Sequence, residues 1–266
     1  MERLDIAHNL FMEAFGTLHN APLVEPVTEE TETRILDIGS GTGIWAIDMA
    51  DQYPAAEVIG LDLVNKQPQA IPPNVRFRVP RDYEGMWSLG HDSFDLIYLR
   101  LACGGVSSWH EMYSKIFQHL KPELGYLEQI EIDIEPRCDD GPVPKQLSDW
   151  YGYLIDASER AGKPLRYNRH TTNILKNLGF VDVKETVLKL PINDWATQEP
   201  ARGLGRWNSV VFHEGVEALS LGPLTRVYNW PVEDVQRLCK DIKAHGLNRR
   251  IHCYQTVHLV TARRPA

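Results

Sequence analysis

The sequence predicts an α/β fold with a parallel sheet covered on both faces, and three observations carry that expectation. Short apolar runs alternate with helical patterns from Thr33 to Ile134. One run, FDLIYLRL at Phe94–Leu101, is apolar at nearly every position, as in a strand buried on both sides. A glycine cluster, Gly39, Gly41 and Gly43, stands between the first run and the first helical pattern, where the backbone must turn tightly out of a sheet.

The elements follow in order. Thr33–Ile38 is the first strand. Ile44–Tyr53 is a helix, with Ile44, Ile47 and Ala50 at helical spacing and Pro54 as its stop. Glu57–Leu61 is a second strand ended by Asp62, and Val75, Phe77 and Val79 alternate as a third before Pro80. Phe94–Leu101 is the fourth, Trp109–Leu120 a helix closed by Lys121-Pro122, and Gly125–Ile134 the fifth strand. Such alternation calls for right-handed crossovers with helices on both faces. The second half is more helical: Gln146–Ala161 and Arg169–Leu178 read as helices, and Val181–Leu190 and Tyr254–Ala262 as strands. Between those strands lie two helical patterns, Trp207–Leu221 and Val232–His245. An excursion of that length is expected to cover a ligand site.

Composition excludes several classes. Of 266 residues, 43% are hydrophobic and 24% charged, which excludes a disordered or fibrous chain. No apolar run approaches the ~18 residues of a membrane span, and the charged start MERLDIAHNLF lacks the apolar core of a signal peptide. A net charge of −8 argues against a broad phosphate-binding face, so no direct nucleic-acid binding is expected. Cys103, Cys138, Cys239 and Cys253 are scattered and read as reduced intracellular thiols, not as a zinc site or a disulfide framework. Glu131, Asp133, Asp139 and Asp140 could offer oxygens to a hard cation. The alternation of Glu131, Asp133 and Glu135 with Ile130, Ile132 and Ile134 is, however, that of a strand with one polar face, and no metal is expected.

The chemistry concentrates at Asp37-Ile38-Gly39-Ser40-Gly41-Thr42-Gly43. Glycines that follow a strand and open a helix let a ligand approach the backbone, with helix N–H groups aimed at it. A dinucleotide fingerprint would need glycine at position 44, which is Ile44, and a phosphate-binding P-loop would need a lysine that is absent. What stands instead is D-x-G-x-G-x-G. Asp62, at the end of the next strand and about 20 residues on, can accept from both hydroxyls of a ribose. Asp82 follows the third strand, where an adenine amino group could donate to it or to a nearby carbonyl. Asp37 is expected to order the loop by accepting backbone N–H bonds.

LDIGSGTG, VIGLDL, SFDLIYLR and LKPELG resemble, in order, the motifs of class I S-adenosylmethionine-dependent methyltransferases, although Glu123-Leu124 departs from the usual turn. RLDIAHNLF, GTGIWAIDMADQYP, WSLGHDSFDLI, EIDIEPRCDD, EALSLGPLTRV and HLVTARRPA are similar to the fungal LaeA-like group, which associates with velvet-family regulators. The resemblance implies a seven-stranded, mainly parallel Rossmann-like sheet that binds S-adenosylmethionine. It implies a role in regulating or making fungal secondary metabolites, in the cytoplasm, the nucleus or both. The implied partners are a small-molecule or protein methyl acceptor and velvet-family or other methyltransferase-like proteins. A cofactor-binding regulator with weak or no catalysis is the alternative. Relatives carry a longer stretch ahead of RLD, so a chain that begins with Met1-Glu2 is expected to hold its cofactor more openly.

The expected organisation is one methyltransferase domain over 1–266: a helical cap over 1–32, a cofactor half over 33–135, and a C-terminal half with a lid at about 194–246. The expected cofactor contacts are Asp37, Gly39, Ser40, Gly41, Gly43, Asp62, Leu63, Asp82, Tyr83 and Arg100. Cys103, Trp109 and Trp207 are the expected acceptor-pocket residues. The catalytic residue is left open, with His110, His170 and His213 as candidates to take a proton.

Overall fold

The structure, a computed structural model, describes residues 3–23 and 27–266; parts of the expected N-terminal cap, residues 1–2 and 24–26, lie outside the described residues. The first half runs α1 (Arg3–Phe15), β1 (Arg34–Ile38), α2 (Ile44–Gln52), β2 (Glu57–Leu61), β3 (Val75–Arg78), β4 (Leu96–Arg100), α3 (Trp109–His119) and β5 (Tyr126–Arg137). The second half runs α4 (Lys145–Arg160), α5 (Thr171–Asn177), β6 (Val181–Pro191), α6 (Ala201–Arg226), α7 (Val232–Leu247) and β7 (Tyr254–Arg263).

Among the described residues, seven strands form one sheet in the order β3-β2-β1-β4-β5-β7-β6. β1 pairs parallel with both β2 and β4, Asp37 standing opposite Gly60 on one side and Tyr98 on the other. β7 is the reversed strand: it inserts between β5 and β6 and runs antiparallel to both. The mainly parallel, Rossmann-like sheet expected from the sequence is therefore present. The chain order reverses direction between β1 and β4, and in open α/β sheets ligands sit at that point, beyond the carboxyl ends of the strands.

β5 and α6 extend furthest past their expected bounds, while α4, β6, α7 and β7 do so by one or two residues. β5 runs on to Arg137 because its ladder with β7 resumes after an irregularity between Asp133 and Arg137. α6 starts at Ala201, not Trp207, and continues through Pro223 to Arg226. Gly203 and Gly205 weaken the helical signal at its start. Gly205 serves close packing, since a Cβ there would stand 2.2 Å from the Asn193 carbonyl oxygen. Beyond Pro223, Leu224 is fully buried, and that burial carries the last turn.

One face of the sheet carries α1, α2 and part of α6, with Trp45 stacked on Tyr98 at 3.8 Å between ring centres. The other face carries α3 and α5, through Met112, Tyr113, Ile116 and Leu175. α4, α6 and α7 share a third apolar cluster around Trp150 and Phe212. The segment after α1 is tied down by polar groups. Trp45 Nε1 donates to the Leu18 carbonyl at 2.7 Å, and the buried Glu128 carboxylate accepts from the N–H groups of Asn20 and Ala21, both at 2.6 Å. That anchoring sets where α1 lies over the carboxyl end of the sheet.

Gly205→Ala is expected to cost about 1–3 kcal/mol of stability through overpacking. Exposed Gly152 in α4 has open space around its Cβ position, so Gly152→Ala should gain about 0.5–1 kcal/mol. Urea unfolding of the two variants beside the parent checks both signs.

Candidate functional site

The turn from β1 into α2 is held by the neighbouring strand. Gly39 and Ser40 both donate their N–H to the Leu61 carbonyl, at 2.8 and 2.9 Å. The Asp62 carboxylate accepts from Gly41 N–H at 2.7 Å and from Val64 N–H at 2.8 Å. Gly41 and Gly43 take φ of 58° and 82°, in the left-handed region where other residues are strained. Side chains there would also collide, with Leu4 at Gly41 and with Phe77 at Gly43.

An outer cavity opens beside this turn. Ile38, Gly39, Ser40 and Gly41 form one wall, Asp62, Leu63 and Val64 the second, and Tyr83 and Arg100–Ala102 the rest. Ser40 Oγ is buried without a hydrogen-bond partner, on the side of the turn that meets Gly60. α1 covers the cavity with Leu4, and Thr42 Oγ1 donates to Asp5 at 2.7 Å. His8, buried in α1, bridges two elements: Nδ1 lies 3.0 Å from Arg100 and Nε2 lies 2.9 Å from Asp48. Arginine can only donate, so Nδ1 accepts and Nε2–H faces the Asp48 carboxylate.

An inner cavity of about 160 Å³ adjoins the outer one, and Leu4 and Leu101 line both. Leu101 takes φ 52°, an uncommon conformation for a branched residue and one that recurs at functional sites. The inner walls are mostly apolar, from Ile132, Trp150, Val211, Phe212, Val216 and Leu219, with Cys103, Glu131, Asn208 and Gln255 as the polar members. Glu131 is buried, and its carboxylate accepts from the N–H groups of Ala102 (3.0 Å) and Cys103 (3.2 Å) and from Gln129 Nε2 (3.2 Å). Burial raises its pKa to about 6 against those bonds. Burial and the Glu131 charge push the Cys103 thiol well above its usual range, which disfavours the thiolate a nucleophile would need.

A polar cavity beside a glycine turn, at the sheet's switch point and joined to an apolar one, is common to many folds of this class. Comparison with known proteins narrows it. The family described as methyltransferase domain matches residues 7–185. The chain is 52% identical over 268 residues to the secondary metabolism regulator LAE1 of Cochliobolus heterostrophus, covering 99% of this chain and 87% of that protein. The chain belongs to the LaeA family of methyltransferases. Another LaeA-family relative, named protein-methionine methyltransferase laeA, from Emericella nidulans, is 41% identical over 266 residues, covering 99% of this chain and 70% of that protein. Among solved structures, a Haemonchus contortus phosphoethanolamine N-methyltransferase 2 in complex with S-adenosyl-L-methionine matches with a TM-score of 0.54 at 15% identity. The match covers 99% of this chain but about half, 52%, of that one. YcgJ of Bacillus subtilis matches over 100% of both chains, with a TM-score of 0.53 at 16% identity. At such identities the likeness is one of fold.

Not every residue expected at this LaeA-family site lines a cavity. Gly39, Ser40, Gly41, Asp62, Leu63, Tyr83 and Arg100 line the outer one, and Cys103 the inner one. Gly43 instead caps α2 against Phe77. Asp37 is buried behind the turn with Oδ2 unpartnered, and Leu61 and Asp62 take the loop N–H bonds expected of it. Asp82 is exposed and accepts from Glu84 N–H at 2.8 Å, ordering its own turn. Trp109 belongs to the buried face of α3 and stacks on Tyr113. Trp207 stands about 100° around the helix from Asn208, so it packs toward the α1 side while Asn208, Val211, Phe212, Gly215 and Val216 line the cavity. His110 and His170 are exposed, and His213 lies in a groove between α6 and α7 with Glu217 and Lys243. Sequence reasoning missed Leu4 and His8, because RLDIAHNLF carried the family resemblance but no residue in it was assigned a contact, and passed over Glu131 because its alternation with isoleucines reads as an ordinary strand. Among the described residues no group of three or more His, Cys, Asp and Glu could hold a metal ion, and no helix is long and apolar enough to cross a membrane.

Asp37 yields a pH prediction. Burial, offset by Arg100 and reinforced by Asp62, raises its pKa from 3.8 to about 7. The folded protein therefore binds the proton more tightly than the unfolded chain, and stability present below about pH 4 is lost as pH rises toward 7. Asp37→Asn cannot ionise. Its melting temperature relative to the parent should be higher at pH 8 than at pH 4, measured by calorimetry at both.

Proposed function

We propose that the protein transfers a methyl group from S-adenosyl-L-methionine, held in the outer cavity, to a methionine side chain of a protein seated in the inner one. The observation that carries the reading is the junction at Leu4 and Leu101 of two unlike cavities, one walled by glycine backbone and a carboxylate, the other by apolar side chains. The residues present fit the donor. Gly39 leaves its backbone open to it, with only Tyr83 near, at 3.9 Å from where a side chain would stand. Asp62 keeps lone pairs beyond those given to Gly41 and Val64 and would accept from ribose hydroxyls, while Leu63, 54% exposed, offers an apolar contact to adenine.

When bound, the sulfonium cofactor supplies a methyl group already activated toward nucleophiles. The chain's own part is to align and to exclude water. Holding the acceptor in line can contribute about 7–11 kcal/mol. Trp150, Phe212, Val211, Val216 and Leu219 line the inner cavity with apolar groups that offer water few partners. A thioether attacks with a lone pair and needs no base, which agrees with an inner lining that holds neither histidine nor lysine among the described residues. A methionine side chain, unbranched and apolar, suits such a space. The relative from Emericella nidulans, by its name, lends support.

The sequence resemblance further supports association with velvet-family regulators and action in the nucleus or cytoplasm. Val210, Val232 and Leu247 on α6 and α7 are exposed and offer such a partner apolar contacts.

Two measurements test the reading. Asp62→Asn should weaken S-adenosyl-L-methionine binding about tenfold or more by calorimetry, because charge-assisted bonds of roughly 1.5–3 kcal/mol are lost. The parent should not bind NAD, and an unchanged affinity in the variant would put the ribose elsewhere. Isotopically labelled methyl donor, incubated with the protein and a methionine-containing peptide, should mark the peptide sulfur by mass spectrometry. Label found only in metabolites of a fungal extract would replace the protein acceptor by a small molecule.

A further inference from the structure

We propose that Glu131 is the counter-charge for a cation formed in the inner cavity, so that the acceptor's positively charged product is favoured there. The inference rests on the methyl-transfer reading and adds the residue that answers the charge. A carboxylate is costly to bury, and it persists where bonds and a partner charge compensate it. Glu131 is 1% exposed, and the groups that bond its carboxylate, the Ala102 and Cys103 N–H groups and the Gln129 amide, are neutral. Those bonds fix the carboxylate in place, yet they supply no opposite charge. Glu131 lines the inner cavity, whose other polar members among the described residues, Cys103, Asn208 and Gln255, are neutral as well. Asn208 Oδ1 is itself buried and unpartnered.

The placement is asymmetric. Glu131 lines the inner cavity and is absent from the outer lining, although Ala102, which it holds through an N–H bond, belongs to the outer one. In the transfer, a lone pair on the acceptor sulfur forms the new S–CH₃ bond as the donor's C–S bond breaks and leaves its electrons on the donor sulfur. No proton moves. One positive charge passes from the donor side to the acceptor side. A negative charge bordering only the acceptor side stabilises the charge more as it arrives than before it leaves, and a group that does so lowers the barrier. Trp150 and Phe212 stand on the same walls, packed edge-to-face on each other with 5.7 Å between ring centres.

The experiment compares three probes on the purified chain saturated with S-adenosylhomocysteine: N-acetyl-S-methylmethionine amide, a sulfonium; N-acetylmethionine amide, its neutral parent; and butyltrimethylammonium, a cation without sulfur. Calorimetry on the parent should show the sulfonium bound about tenfold or more tightly than the thioether, the scale of one desolvated charge pair. Glu131→Gln keeps the shape and one acceptor oxygen, so it should lose that preference while its affinity for S-adenosylhomocysteine stays within about twofold of the parent. A parent without cation preference overturns the inference regardless of how the variant folds, and so does a variant that keeps the preference. If butyltrimethylammonium binds and depends on Glu131 while neither sulfur probe does, the methionine acceptor falls and the role of Glu131 stands.

Discussion

The Leu61 carbonyl accepts two consecutive N–H groups, from Gly39 and Ser40, and the adjoining Asp62 carboxylate takes the next, from Gly41. Three backbone donors in a row are thus spent on the end of β2. Were they directed elsewhere, the turn into α2 would not lie flat against the neighbouring strand, and no cleft would open beyond β1 and β4. The arrangement demands left-handed backbone at Gly41 and a vacant side-chain position beneath Leu4. Because Thr42 then meets Asp5, the same turn also seats α1. Sheet, cleft and covering helix are consequences of where those hydrogen bonds go.

Much of this was legible from spacing alone. Strand-then-glycine-then-helix announced the turn, and an acid closing the following strand marked Asp62 for a ligand contact, but not as the residue that holds the turn. Asp62 does hold it, through a role in the loop that the sequence reading had assigned to Asp37. The two acids cannot be told apart by pattern, because the difference lies in depth: Asp37 lies within a strand paired on both sides, whereas Asp62 has just left its strand. Tryptophans misled in the same way. Trp109 and Trp207 stand near the site in sequence and even in space, but a helix turns about 100° per residue, so one position decides between core and cavity. At position 207 the core wins and at 208 the cavity does.

What stayed hidden depends on contacts across long stretches of chain. His8 acquires meaning only when α1 brings it between Asp48 and Arg100. Glu128 and Glu131 occupy neighbouring stretches of β5 and look alike in the sequence. One anchors the segment after α1 and the other faces a cavity built largely from α6 and β5. The reach of α6 itself was underestimated because glycine and proline were read for propensity. Gly205 is there for clearance, and Pro223 is tolerated because burial of Leu224 outweighs a lost hydrogen bond.

Leu4 belongs to both cavities, so α1 is a wall common to two binding events. A group that settles against Leu4 on one side changes the energy of the helix position that the other side meets. The two occupancies are then linked, and linkage is reciprocal: whatever factor the first ligand imposes on the affinity of the second, the second imposes on the first. A change at Leu4, in the first turn of α1, would touch both cavities at once and so would reset the exchange of information between them.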